Sequence, residues 1–309
     1  MSAMIIQLSQ VVGALREEAG LLWKYVAFVV FIYLLLPKPA YKTNVKVPTV
    51  KFMSPWLPGI ISRRLIPKII SELDYAFDVE FPKCDSTPIT GYAADRFVAI
   101  NSYEVFLRLV ARVGARIFIG DELCREEKWL EASIDYTKNI FLTIALLRPL
   151  PGFLHPIVGR ILPSSRSLDR QLIYIKEELL GPLINKRRTM EAASDPNYEK
   201  PDDFLQWMMD LAKTEKESHP HNLAQRLLGI TSMAVVHTSA MSMTHILYDL
   251  LVMPQWVQPL QDEIRTEVPD WNNITQANLN NLRVMDSFLK ESQRFNPPGE
   301  REWLPSLGS

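Results

Sequence analysis

Apolar and polar positions follow a helical period along most of the chain, and one segment departs from it by being apolar on nearly every side. From Asn222 to Met253 (NLAQRLLGITSMAVVHTSAMSMTHILYDLLVM) no formal charge occurs between Arg226 and Asp249. Asn222 is the expected N-cap, and Pro254 is the expected stop. At helical rise such a segment spans about 48 Å. Its middle carries Thr231, Ser232, His237, Thr238, Ser239, Ser242, Thr244 and His245. So many hydroxyls and imidazoles argue against a membrane span, where each unsatisfied polar group is costly. The segment reads as a helix crossing a large core, with something polar meeting the cluster His237–Ser239.

The neighbouring segments read as shorter amphipathic helices. Ile66–Phe77 is one. Tyr103–Ile119 places Val105, Phe106, Leu109, Val110, Val113, Ile117 and Phe118 on one face. Arg108, Arg112 and Arg116 recur at every fourth position and predict a solvated ridge, with an anion site as the sharper alternative. Further helices are expected over Glu126–Leu147, Ser167–Arg188, Phe204–Ala212 (with Trp207 buried), Pro254–Val268 and Leu282–Phe295. Strand signals are nearly absent, so the fold class is mainly α.

The front of the chain is different in kind. Leu21–Leu36 (LLWKYVAFVVFIYLLL) is broken only by Lys24. As helix it covers about 24 Å, just short of a hydrocarbon core of about 30 Å. No small-residue cleavage site follows, so one N-terminal transmembrane anchor is expected rather than a cleaved signal. Lys38, Lys42, Lys46 and Lys51 then place the main domain on the cytosolic side. Prolines at 37, 39, 48, 55, 58 and 67 make the following stretch a stiff, irregular connector.

Composition narrows the classes. With 34 basic and 35 acidic residues the net charge is −1, and no nucleic-acid partner is indicated. Two cysteines, Cys84 and Cys124, have neither metal-ligand nor disulfide-framework spacing.

Chemistry enters with FLKESQRFNPP, residues 288–298. Glu291 and Arg294 are three apart and share a helical face, while Pro297 and Pro298 end the helix at once. AVVHTS (234–239), QPLQDEI (258–264) and NLRVMDSFLKESQRFNPP (281–298) occur in that order. Together they resemble the I, J and K helices of a cytochrome P450 of the fungal secondary-metabolism type, in which A-x-x-H-T-[ST] often replaces A-G-x-[DE]-T. Upstream, ARIFIGDELCREEKWLEASIDYT (115–137) is similar to the stretch those enzymes carry before their F helix.

The resemblance implies a haem-thiolate monooxygenase acting on an apolar substrate of terpenoid type. It implies membrane lipid and a membrane-bound reductase as partners, at the endoplasmic reticulum. Thr238 matches the I-helix threonine, whose hydroxyl helps deliver protons to iron-bound dioxygen. His237 stands where many relatives have Asp or Glu; a His can pass protons near neutral pH, or it can pack and bind backbone. Ala234 is the haem-facing position on the same helix. Glu291 and Arg294 match the K-helix pair, a structural rather than catalytic motif. Taken without the family, Thr238 and Ser239 read as helical hydroxyls bonded back to their own backbone.

Two features depart from the family pattern. The thiolate ligand comes from a Phe-x-x-Gly-x-x-x-Cys-x-Gly loop after the K helix, and neither Cys84 (FPKCDSTP) nor Cys124 (DELCREE) has that setting. The join near Arg64 and Leu65 also omits the interval in which the family has its first sheet and B–C region. The expectation is therefore a truncated P450-like chain that does not bind haem productively, with apolar faces of the long helix left uncovered. Its organisation would be an anchored segment (1–36), a basic hinge (37–64), a partial helical domain (65–298) and a divergent tail (299–309). A haem-free, membrane-tethered scaffold or binding module is the alternative.

Overall fold

The computed structural model describes residues 65–81, 100–193 and 198–297. The expected anchor, the proline hinge, Cys84 and the tail lie outside these. Among the described residues there is no strand.

In chain order the helices are α1 (Ile66–Glu80), α2 (Ser102–Phe118), α3 (Glu127–Leu147), α4 (His155–Ile161) and α5 (Pro163–Tyr174). A π segment, Ile175–Leu179, joins α5 to α6 (Leu180–Ala193). Then follow α7 (Phe204–Leu211), α8 (Glu215–Ser218) and α9 (Pro220–Gly229). A second π segment, Ile230–Val236, leads without a break into α10 (His237–Val252). The chain continues through α11 (Val257–Glu267), α12 (Gln276–Asn281) and α13 (Arg283–Phe295).

The long helix expected from the apolar run is thus real, from Pro220 to Val252, and it is long and apolar enough to cross a membrane by length and composition alone. Most of its apolar window is buried inside the protein, as in a core helix. Its start differs from the expected one. Pro220 fits the first helical position because its missing N–H costs nothing there. The cap is His219, whose ring nitrogen accepts from the His221 N–H, while Asn222 donates to the Lys216 carbonyl.

The described residues form two compact units divided at Leu109/Val110 and again at His237/Thr238. In the unit containing α1 and α11–α13, Leu65, Ile69, Leu73, Met243, Ile246, Leu260, Met285 and Leu289 are buried. Helix α11 packs on α13 and supplies its cap from a distance. The Glu263 carboxylate accepts from the Val284 and Met285 N–H groups at 2.7 and 2.8 Å. Those two amides begin α13 and have no intrahelical acceptor, so a carboxylate there answers both the open donors and the helix dipole. Helix α12 closes its own start with a capping box between Thr275 and Asn278.

In the unit spanning 110–237, α3 packs on α5 and on the second π segment, and α9 packs on α6 and α7. Trp129, Leu130, Ile175, Ile184, Leu205, Leu227 and Leu228 are buried. A buried ion pair fastens three elements of this unit. Arg187 on α6 donates to both carboxylate oxygens of Asp203, at 2.8 and 2.6 Å, and to the Ile119 carbonyl at 3.3 Å. Asp203 also caps α7 by accepting from the Gln206 N–H at 2.8 Å. Gly120 turns the chain here with φ 78°, and a Cβ at that position would collide with Asp203 Oδ2. A left-handed φ and a closely approaching carboxylate both call for glycine.

The arginines of α2 are not a solvated ridge. Arg108 pairs with Glu80 at 2.6 Å, buried Arg112 with Glu127, and Arg116 with Asp121. Each guanidinium is neutralised by its own carboxylate, which also removes the anion-site alternative. Trp207 is half-buried rather than buried, its indole N–H donating to Asp202 at 3.1 Å. A polar rim bond explains why the ring stays near the surface.

Candidate active site on the long helix

The second π segment sits immediately before His237 and Thr238. Its sequence, ITSMAVV, follows Gly229 and is rich in β-branched residues. These hold χ1 rigidly and weaken the ordinary α-helical register, so a wider turn is tolerated. Burial divides the helix cleanly. Val235, Val236, Ser239 and Ala240 are buried, Met233 and Ala234 are exposed, and His237 and Thr238 are half-buried. Ala234 is exposed within the π segment; on α10, Thr238, Met241, His245, Tyr248 and Val252 follow at three- or four-residue spacing and form one half-buried to exposed face. No formal charge lies on it. The face is mixed: Met241 and Val252 stand beside the Thr238 and Tyr248 hydroxyls and the His245 imidazole.

Two hydroxyls of this helix bond back to its own backbone, as helical hydroxyls usually do. Thr231 donates to the Leu227 carbonyl and Thr244 to the Ala240 carbonyl, each at 2.8 Å. His237 does something else. Its Nε2 lies 2.8 Å from the Ile134 carbonyl oxygen of α3. A carbonyl only accepts, so Nε2 carries the hydrogen. Burial holds this imidazole's pKa below the ordinary histidine value, with the Ile134 bond acting in the opposite direction and Lys138 and Asp135 contributing less.

Glu291 and Arg294 do pair, on the last turns of α13. Arg294 donates through Nε and a terminal nitrogen to the two Glu291 oxygens, at 2.9 and 2.5 Å. The pair stands in solvent, with side chains 53% and 62% exposed for Glu291 and Arg294. Arg294's hydrogen bond pulls the Glu291 carboxyl below its usual range. The same end of α13 is tied to the long helix by a carboxylate that sequence reasoning passed over. Asp249 Oδ2 accepts from Ser292 Oγ at 2.5 Å and from Asn296 Nδ2 at 3.2 Å. These two bonds set α13 against α10 within one unit. The only prior hint was that Asp249 is the first charge after the uncharged run.

The family resemblance implies haem, and the residues meet half of its requirements. The uncharged stripe that carries Thr238 suits the flat face of a large apolar ring. The axial ligand does not fit. Cys124 is 2% exposed, its thiol is directed to the Asp121 carbonyl at 3.6 Å, and it lies in the turn before α3. A thiol so enclosed is not a ligand facing a cofactor. Among the described residues no cysteine is placed to serve as that thiolate.

Comparison with known proteins gives these positions a setting. The cytochrome P450 family model matches residues 93–302. The cytochrome P450 monooxygenase janP of Penicillium janthinellum is 68% identical, covering 97% of this chain and 74% of its own length. The monooxygenase penP of Penicillium crustosum is 54% identical over 97% of this chain and 73% of its own. AtmP of Aspergillus flavus is 64% identical over 77% of this chain and 44% of its own. The first two alignments run over 388 positions, more than the 309 residues of this chain, so both relatives carry residues with no counterpart here.

Proposed function

The chain belongs to the cytochrome P450 family, and from that premise we propose that its architecture is that of a fungal haem-thiolate monooxygenase for an apolar, terpenoid-type substrate of secondary metabolism. We further propose that these 309 residues alone do not complete the catalytic centre. One observation carries the reading: the uncharged face of α10 that carries Thr238, with the small Ala234 four residues before it in the sequence. Haem, when bound in this family, supplies oxygen activation through a thiolate-ligated iron. The protein's own contribution on that face is shape and one group able to donate and accept a hydrogen bond at once. Glu291 and Arg294 hold no substrate in this reading; they are a structural pair awaiting a cover.

In the same reading Leu21–Leu36 anchors the chain in the endoplasmic reticulum membrane with residues 65–298 in the cytosol. Residues 37–64 form the hinge and 299–309 a divergent tail. Electrons would come from a reductase in the same membrane. Membrane extraction tests the anchor: carbonate should leave the full chain in the pellet and release a form lacking residues 1–36.

The deciding experiment for the catalytic centre is a haem titration followed by reduction under carbon monoxide. The 309-residue chain should show no thiolate–CO band, while a chimera extended with the cysteine-loop region of janP should show one. A thiolate band from the unextended chain overturns the proposed incompleteness. The absence of an axial thiol among the described residues favours a second reading, a haem-free tethered module that binds apolar molecules. Failure of the chimera to take up haem would favour it.

A further inference from the structure

His237 is the first residue after the π segment, where the helix returns to its ordinary register. A π segment widens the turn and weakens the local ladder, so its azimuth needs fixing from outside the helix. The second π segment packs on α3. Of the buried hydroxyls in these elements, Thr231 and Ser133 bond to carbonyls of their own helices, and Ser232 Oγ and Thr137 Oγ1 have no hydrogen-bond partner among the described residues. They do not fasten the contact. The His237 Nε2–H does, reaching the Ile134 carbonyl at 2.8 Å.

We propose that His237 is a positioning residue: its Nε2–H latches the end of the π segment to the Ile134 carbonyl of α3, and so sets the direction in which the next residue, Thr238, presents its hydroxyl. The role of Thr238 rests on the monooxygenase reading, but the latch itself does not. The same bond rules out through-conduction of protons by this ring. A relay would have to release the Nε2 proton, and the group receiving it is a carbonyl, which is not a base. Proton uptake at the other nitrogen would place a cation among the charges α3 turns toward the ring, Lys138 and Asp135. Burial already disfavours that form. The ring is a fixed neutral donor.

The test uses the 309-residue chain without haem. Nitrogen-15 NMR of the histidine side chains at pH 7 should show His237 as the neutral tautomer protonated at Nε2; a tautomer protonated at Nδ1, or an imidazolium, overturns the latch. His237→Gln keeps an amide N–H near the Nε2 position, and His237→Leu keeps bulk without a donor. Hydrogen exchange of the amides in 230–238 should quicken by about fivefold in the Leu variant, the loss of one net hydrogen bond. The Gln variant should stay close to the parent. Equal exchange in the parent and the Leu variant, or equal damage in both variants, overturns the proposal. If the Leu variant fails to fold, the tautomer of the unmodified chain still decides. A negative haem titration leaves this result untouched, so the two readings fail separately.

Discussion

Two arginine–carboxylate pairs in this chain have the same chemistry and opposite surroundings. Arg187 and Asp203 are 2% and 1% exposed, bonded through two nitrogens, and joined to a backbone carbonyl and a helix cap. Arg294 and Glu291 are also bonded through two nitrogens, but stand in water. The second pair is the recognisable motif; the first has no motif to announce it. Burial sets their energetic weight. A buried pair that loses one member leaves an uncompensated charge, whereas an exposed pair is screened whether or not it forms.

The sharpest way to break this contrast is Arg187→Met. It should destabilise the chain by about 3–5 kcal/mol in urea unfolding, because Asp203 stays buried and charged. Arg187→Met combined with Asp203→Leu should recover part of that loss, and failure to recover any would mean the α7 cap outweighs the ion pair. Gly120→Ala should cost about 1–2 kcal/mol from the left-handed backbone alone, with displacement of Asp203 added. On the other unit, Glu263→Gln should cost about 1 kcal/mol by weakening the α13 cap.

Smaller effects follow from titration. His237 is held below its ordinary pKa, so the unfolded chain takes up the proton first as pH falls. Stability should therefore be complete well above pH 6.5 and decline as pH drops through that value, a slope that His237→Leu should reduce. The Glu291 carboxyl is lowered too, so its contribution has the same sign in a lower window: it adds stability above about 4.5 that is lost as pH falls below it. Being fully solvated, it should give an acid-limb difference between the parent and Glu291→Gln that is undetectable in high salt. A clear midpoint shift at neutral pH would show that the pair is covered by something in solution.

Much of the architecture was legible because helical period survives without tertiary information. Apolar spacing located α1, α2, α3 and α13 to within a few residues, and proline marked the end of the long helix. The short helices α4, α8 and α12 escaped, since so few turns carry no measurable period. The first π segment was also hidden, although Gly181 marks it: the wider turn brings the Lys176 carbonyl where a Cβ would sit. At the candidate site, order and spacing singled out Ala234, His237, Thr238, Glu291 and Arg294. Partners of those residues were not legible, because Ile134 lies 103 residues from His237 and contributes a backbone oxygen that any residue type could supply.

What the sequence determined by itself is the longer helices, the family and the uncharged stripe, because each depends on residue type at local spacing. Tertiary structure decided which of two like ion pairs is buried, that the α2 arginines are neutralised, and that His237 spends its proton on a distant carbonyl. Those outcomes depend on solvent exclusion and on atoms brought together across the chain, and neither is encoded at any one position.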